Sequence, residues 1–145
     1  MQTRYFALIF GIAYIVAAAS GIIPGLLVRS PDLPPITVDA LYGRALGLFP
    51  VNVLHTLVHL VIGLWGVIAW RTFAQAQLYA RSLAIIYGVL TVLGVIPATS
   101  TMFGLVPLFG HDIWLHAGTA LIAAYFGWIA ERRGVTTDTT SPLPR

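Results

Sequence analysis

The sequence predicts an all-α fold: a four-helix transmembrane bundle built from a tandem duplicated two-helix hairpin. Composition is the first observation behind this. Hydrophobic residues make up 58% of the 145 residues, charged residues only 9%, and the mean hydropathy is +0.86. Soluble domains carry roughly a quarter charged residues, so the composition is that of an integral membrane protein. The second observation is an internal echo. Gly47-Leu48-Phe49-Pro50-Val51 leads into an apolar stretch carrying His59, and Gly104-Leu105-Val106-Pro107-Leu108 leads into another carrying His116, at one 57-residue offset. Upstream, Arg4-Tyr5-Phe6-Ala7-Leu8-Ile9-Phe10-Gly11 matches Arg81-Ser82-Leu83-Ala84-Ile85-Ile86-Tyr87-Gly88, and the exits Gly21-Ile22-Ile23-Pro24 and Gly94-Val95-Ile96-Pro97 are alike.

Crossing a hydrocarbon core of ~30 Å takes about 20 apolar residues as helix. Four runs meet or approach that length: 5–27, 51–70, 82–97 and 113–130. Backbone groups in lipid must be satisfied within the segment, which favours helices. The first run has Arg4, an apolar stretch and Ala17-Ala18-Ala19-Ser20, as a signal peptide would. It continues well beyond that point and matches the third run, so it reads as a span. The loop from Val28 to Pro50 holds Pro31, Pro34 and Pro35, which favour extended backbone. Its second half, Thr37 to Leu48, reads as a short interfacial helix in which Asp39 pairs with Arg44, a contact worth ~1 kcal/mol or less if exposed. The third run is the shortest, its end blurred by Pro97 and Thr99-Ser100-Thr101. Residues 1–132 then form the transmembrane domain, and 133–145, rich in Thr and Pro, a disordered cytoplasmic tail.

The eight basic residues are all arginine. Arg4, Arg71, Arg81, Arg132, Arg133 and Arg145 fall at the N-terminus, second loop and C-terminal tail, against Arg29 and Arg44 in the first and third loops. The positive-inside rule puts both termini in the cytoplasm and the long first loop outside. Single arginines at the ends of apolar runs mark topology rather than a basic groove, so the pI near 9.7 does not indicate nucleic-acid binding. Trp65, Trp70, Trp114 and Trp128 lie mostly near span ends, as in interfacial aromatic belts. Gly63, Gly66, Gly118 and the Ala17–Gly21 stretch let helices approach closely. With no cysteine, disulfides and thiolate metal sites are excluded. No Gly-rich phosphate loop, nucleophile elbow or zinc-protease motif is present, and the spans lack the buried acid chain of a proton-coupled transporter.

The chemistry-bearing residues gather at the outer boundary. His55 and His59, four apart, share a helix face about 6 Å apart along the axis. In the other half His116 matches His59, and Asp112 takes the place of His55. If these faces turn inward, His59 and His116 meet across a pseudo-two-fold axis, with Asn52 and Thr56 extending the polar cluster. Ionisable residues at membrane depth are costly and suggest function. Three readings stay open: two imidazoles on one haem b iron from His59 and His116; a divalent metal held by His55, His59, Asp112 and His116; or a hydrogen-bonded plug tying two helices together. His111 reads as an interfacial residue beside Asp112.

The stretch from Asn52 to Gly63, with its Asn-x-x-His-x-x-x-His-Leu motif, and Asp112-Ile113-Trp114-Leu115-His116 resemble an uncharacterised family of bacterial four-helix membrane proteins. That family is catalogued only as a domain of unknown function, in phototrophs and other bacteria, and the resemblance covers about residues 4–130. It implies fold and topology rather than chemistry, with Asn52, His55, His59, Asp112 and His116 as the family-like polar positions. His111 falls outside them. The expected protein is a non-enzymatic accessory or scaffold subunit in a bacterial inner or thylakoid membrane. Its expected partners are the lipid bilayer and either a larger photosynthetic or respiratory complex or further copies of itself. The alternatives are a haem- or metal-binding redox protein and a binder of a small lipid, quinone or pigment in the outer half of the bundle.

Overall fold

Local chemistry sets where the helices of the computed structural model begin and end; it describes residues 1–130. Residues 131 and 132 of the expected transmembrane domain, and the 133–145 tail, lie outside the described residues. The order is α1 (Gln2–Ser20), β1 (Leu27–Val28), β2 (Gly43–Ala45), β3 (Phe49–Val51), α2 (Val53–Ala69), α3 (Phe73–Val95) and α4 (His111–Ala124), the last continuing into a π-helical segment, Tyr125–Ile129. Thr72 caps α3 by accepting the Gln75 N–H, and α3 stops where Ile96 turns extended before Pro97, as a residue preceding proline must.

Two helices, α1 and α3, are long and apolar enough to cross a membrane, and α2 is a shorter apolar helix of 17 residues. Boundaries differ from the expectation at several points. The first helix ends at Ser20 rather than Leu27, because the chain turns at Gly21 and the following Pro24 offers no N–H. The third begins at Phe73, nine residues before Ser82, so Arg81 lies within a helix and not in a loop. The interfacial helix expected over Thr37 to Leu48 is replaced by strands. β1, β2 and β3 form an antiparallel sheet in that order, with Leu27 opposite Ala45, Gly43 opposite Val51 and Arg44 opposite Pro50. The fold is thus mostly helical with a small sheet added. Pro50 sits on the edge strand, where its missing N–H breaks no ladder bond. Arg44 pairs with Asp32 at 2.9 Å instead of Asp39, and that hydrogen bond holds the Asp32 carboxyl below its usual range.

Packing runs mainly α1 on α2 and α3 on α4. The first pair is nearly backbone to backbone. A Cβ at Gly11 would lie 2.7 Å from the Val67 nitrogen, and one at Gly63 would lie 2.8 Å from the Gly11 carbonyl oxygen, the approach that small residues permit. Between the pairs lies a core of Phe6, Tyr14, Tyr79, Leu83 and Tyr87.

The echoed sequences fold alike at both ends. In the turn Arg44–Leu48, Gly47 N–H donates to Arg44 O (3.2 Å) and Leu48 N–H to Ala45 O (3.1 Å); in Thr101–Leu105, Gly104 N–H donates to Thr101 O (3.0 Å) and Leu105 N–H to Met102 O (3.2 Å). Leu46-Gly47 and Phe103-Gly104 share left-handed φ angles of 54° and 72°, 60° and 85°. At the opposite end, Arg4 Nε donates to Trp70 O (2.7 Å) and Arg81 Nε to Gly127 O (2.9 Å). Each guanidinium also lies over an indole, Trp70 at 5.6 Å and Trp128 at 5.7 Å. A cation on the last carbonyls of a helix complements its dipole.

Candidate functional site

Where the two turns meet the helices, Asn52 ties them together. It caps α2, its side-chain oxygen accepting the His55 N–H at 3.0 Å. Its amide donates to Val38 O at 2.8 Å and Leu105 O at 2.7 Å, joining the first loop to the second turn. Asn52 is therefore fully committed to backbone rather than open to a ligand. Its cap starts α2 so that His55, Thr56 and His59 turn inward, and all three are buried. Asp112, in the first turn of α4, and His116, one turn on, are buried opposite them. His111 is exposed, its ring edge-on to Phe49 at 6.3 Å.

The family-like polar residues thus gather in one cluster. Ring contacts link His59 to His55 (4.5 Å between centroids) and His55 to His116 (6.2 Å), so His55 joins the two histidines expected to face each other. Its Nδ1 stands 3.8 Å from Asp112 Oδ2, beyond direct hydrogen-bond distance. Among the described residues, His55 Nδ1, Asp112 Oδ2, His116 Nδ1, Thr56 Oγ1 and Tyr79 OH are buried without a hydrogen-bond partner. No group of three or more His, Asp or Glu side chains there is arranged to hold a metal ion.

Two tyrosines extend the cluster and were not among the sequence candidates. Tyr14 lies 5.3 Å from His59 and 5.5 Å from Tyr87, and Tyr87 lies 5.1 Å from His116. The available signal was their place in mid-span, since tyrosines in an aromatic belt sit at span ends. Beside His59 a cleft of about 390 Å³ opens between α1 and α4, walled by Phe10, Tyr14, Trp114 and Leu115, with Thr119 and His59 also in its lining. Chemically, the cluster offers imidazoles, hydroxyls and one carboxyl that can donate or accept hydrogen bonds.

Thr56→Val tests the cost of one unpartnered group. Valine keeps the shape and removes a buried hydroxyl that has no partner, so a higher melting temperature in detergent is expected, a gain of up to about 1 kcal/mol. A fall would mean that the hydroxyl is hydrogen-bonded in the folded protein.

Comparison with known proteins adds a family. No curated protein and no solved structure matches the chain. Residues 4–129 match the family described as Domain of unknown function (DUF4383). That span takes in both hairpin-like units, both echoed turns and every residue of the buried cluster, and the chain accordingly belongs to the DUF4383 family.

Proposed function

We propose that this chain is a four-span integral membrane protein of a bacterial inner or thylakoid membrane that serves as a non-catalytic accessory subunit of a larger photosynthetic or respiratory complex. In this reading α1–α2 and α3–α4 are tandem hairpins, with both termini in the cytoplasm. The distribution of side chains carries it. The helix exteriors are aliphatic and aromatic, with Trp114 (76% exposed) and Leu121 (74%) seven residues apart on α4, whereas the polar groups are enclosed. Such an exterior suits lipid or a neighbouring subunit. The α4 helix continues through its π-helical segment to Ile129, and helix from His111 to Ile129 is about 28 Å long, close to the hydrocarbon thickness. Arg4, Arg71 and Arg81 at one end support a cytoplasmic assignment for it.

Because the chain has no cysteine, single cysteines report topology cleanly. Leu48→Cys is expected to react with a membrane-impermeant maleimide in intact cells, and Ala74→Cys only after permeabilisation. The reverse pattern would invert the topology, and equal labelling would remove the four-span reading. Tagged protein drawn from native membranes in mild detergent is expected to run on native gels in an assembly containing other subunits. A species containing only this chain would defeat the accessory role.

A second reading, haem b held by His59 and His116 beside His55 and Asp112, is favoured by the unpartnered His55 Nδ1, Asp112 Oδ2 and His116 Nδ1. Buried polar atoms of that kind call for an explanation, of which an ion or cofactor is one. An absorption spectrum before and after reduction, with metal analysis of the same sample, separates the two. A Soret band establishes the second reading, and a bare protein spectrum without metal removes it.

A further inference from the structure

We infer that the α1–α4 cleft is a binding site for the ring of a lipid-soluble quinone, with the His59 imidazole as the hydrogen-bond donor to a quinone carbonyl. Geometry leads to this class of ligand. α1 packs on α2 and α4 on α3, which leaves α1 and α4 in sparse contact. The gap becomes a cleft of about 390 Å³, within the range of small-molecule sites. Aromatic rings stand on both walls, Phe10 and Tyr14 on α1 and Trp114 on α4, with Ala13, Ala17 and Gly118 keeping the slot open between them. Small residues flanked by aromatic faces shape a site for a flat ring.

At its floor lies an unused polar group. His59 is only 7% exposed, borders the cleft, and makes no hydrogen bond to any described residue. An imidazole left unpaired in apolar surroundings is costly, and a ligand acceptor removes that cost. No arginine lines the cleft, so a phospholipid phosphate or a fatty-acid carboxylate would find no counter-charge. A neutral ring bearing carbonyls meets both conditions, and an isoprenoid tail would leave between α1 and α4 past the exposed Leu115 and Ile122. Nothing in this assignment requires electron transfer.

Gly118 supplies a decisive variant. A Cβ there meets nothing within 4 Å, and Gly118 lines the cleft, so the Gly118→Leu side chain starts into the slot rather than into a packed face. The experiment titrates the full chain, purified in detergent, with decylubiquinone, following tryptophan fluorescence, to which Trp114 on the cleft wall contributes. Saturable quenching is expected for the natural chain and its loss in Gly118→Leu, with the melting temperature of the variant unchanged or higher, since leucine also favours the helix. His59→Phe, which keeps a ring and removes the donor, should weaken binding by about three- to tenfold, the worth of one neutral hydrogen bond. Decylbenzene, which has the tail but no carbonyl, should bind weaker than decylubiquinone by at least the same three- to tenfold. Absence of saturation in the natural chain overturns the proposal, as does binding that survives Gly118→Leu. Equal binding of decylbenzene, or an unweakened His59→Phe, overturns the carbonyl–imidazole contact on which the quinone assignment rests.

Discussion

Gly66→Leu is expected to separate α1 from α2 and lower the stability of the protein in detergent by about 3 kcal/mol or more, at or beyond the upper end for overpacking. A Cβ at Gly66 would lie 2.8 Å from the Ala7 carbonyl oxygen, 2.8 Å from the Gly11 Cα and 2.8 Å from Tyr79 Cζ. Two of these three atoms are backbone and cannot rotate aside. Leucine does favour the helix over glycine by about 1 kcal/mol, but that gain is too small to offset a displaced helix. Gly88 is the control. It occupies the place of Gly11 in the echoed helix, yet a Cβ there meets nothing within 4 Å. α4 carries Ala120 and Ala123 at the positions where α2 carries Gly63 and Gly66. Gly88→Ala should therefore be neutral or stabilising, by up to about 1 kcal/mol. Thermal melting in detergent decides both. If Gly66→Leu melts with the natural chain, the α1–α2 backbone contact does not hold the hairpin together.

That contrast also marks what could be read from the sequence. The echo was legible because glycine, proline, arginine and histidine keep their spacing, and each does a conserved physical job in both halves: left-handed turn, buried proline, carbonyl clamp, inward imidazole. Helical spacing also put His55 with His59, and Asp112 with His116, on one face each, but it left open whether those faces turn inward; the structure buries all four. The sheet was not. Strands of two or three residues in a proline-rich loop leave no periodicity to detect, and the loop before β2 is held from outside, Gly104 O accepting from Thr37 N–H at 2.9 Å and Val38 N–H at 3.2 Å and Asn52 donating to Val38 O. The early start of α3 escaped because Gln75, Gln77 and Arg81 break the apolar run that hydropathy follows. Helix propensity and the Thr72 cap ignore that break, both glutamine and arginine being good helix formers. The cleft was hidden for a different reason: it depends on which helices pair, and an open seam between α1 and α4 has no signature in either helix alone.

Asn52→Leu should cost more than any other polar substitution in the chain, about 3 kcal/mol or more. The side chain is wholly buried and serves three backbone groups: it donates to Val38 O and Leu105 O and accepts from His55 N–H. Leucine of similar size leaves two carbonyls and an amide without partners, and each buried orphan costs about 1–3 kcal/mol. Asn52→Asp separates capping from bridging. Aspartate caps a helix as well as asparagine does, but it presents a second oxygen to two carbonyls where the amide had donated. If bridging dominates, Asn52→Asp falls close to Asn52→Leu; if only the cap matters, it melts with the natural chain. The loss should also be local before it is global. With the Val38 and Leu105 contacts gone, the first loop detaches from the second turn, and trypsin should cut after Arg44 in β2 at a temperature where α1 to α4 remain helical by circular dichroism. Because His55 takes its position from the same cap, the cluster would loosen with the loop. One asparagine thus couples the sheet to the buried histidines, and unchanged protection of Arg44 in Asn52→Leu would show that they are held independently.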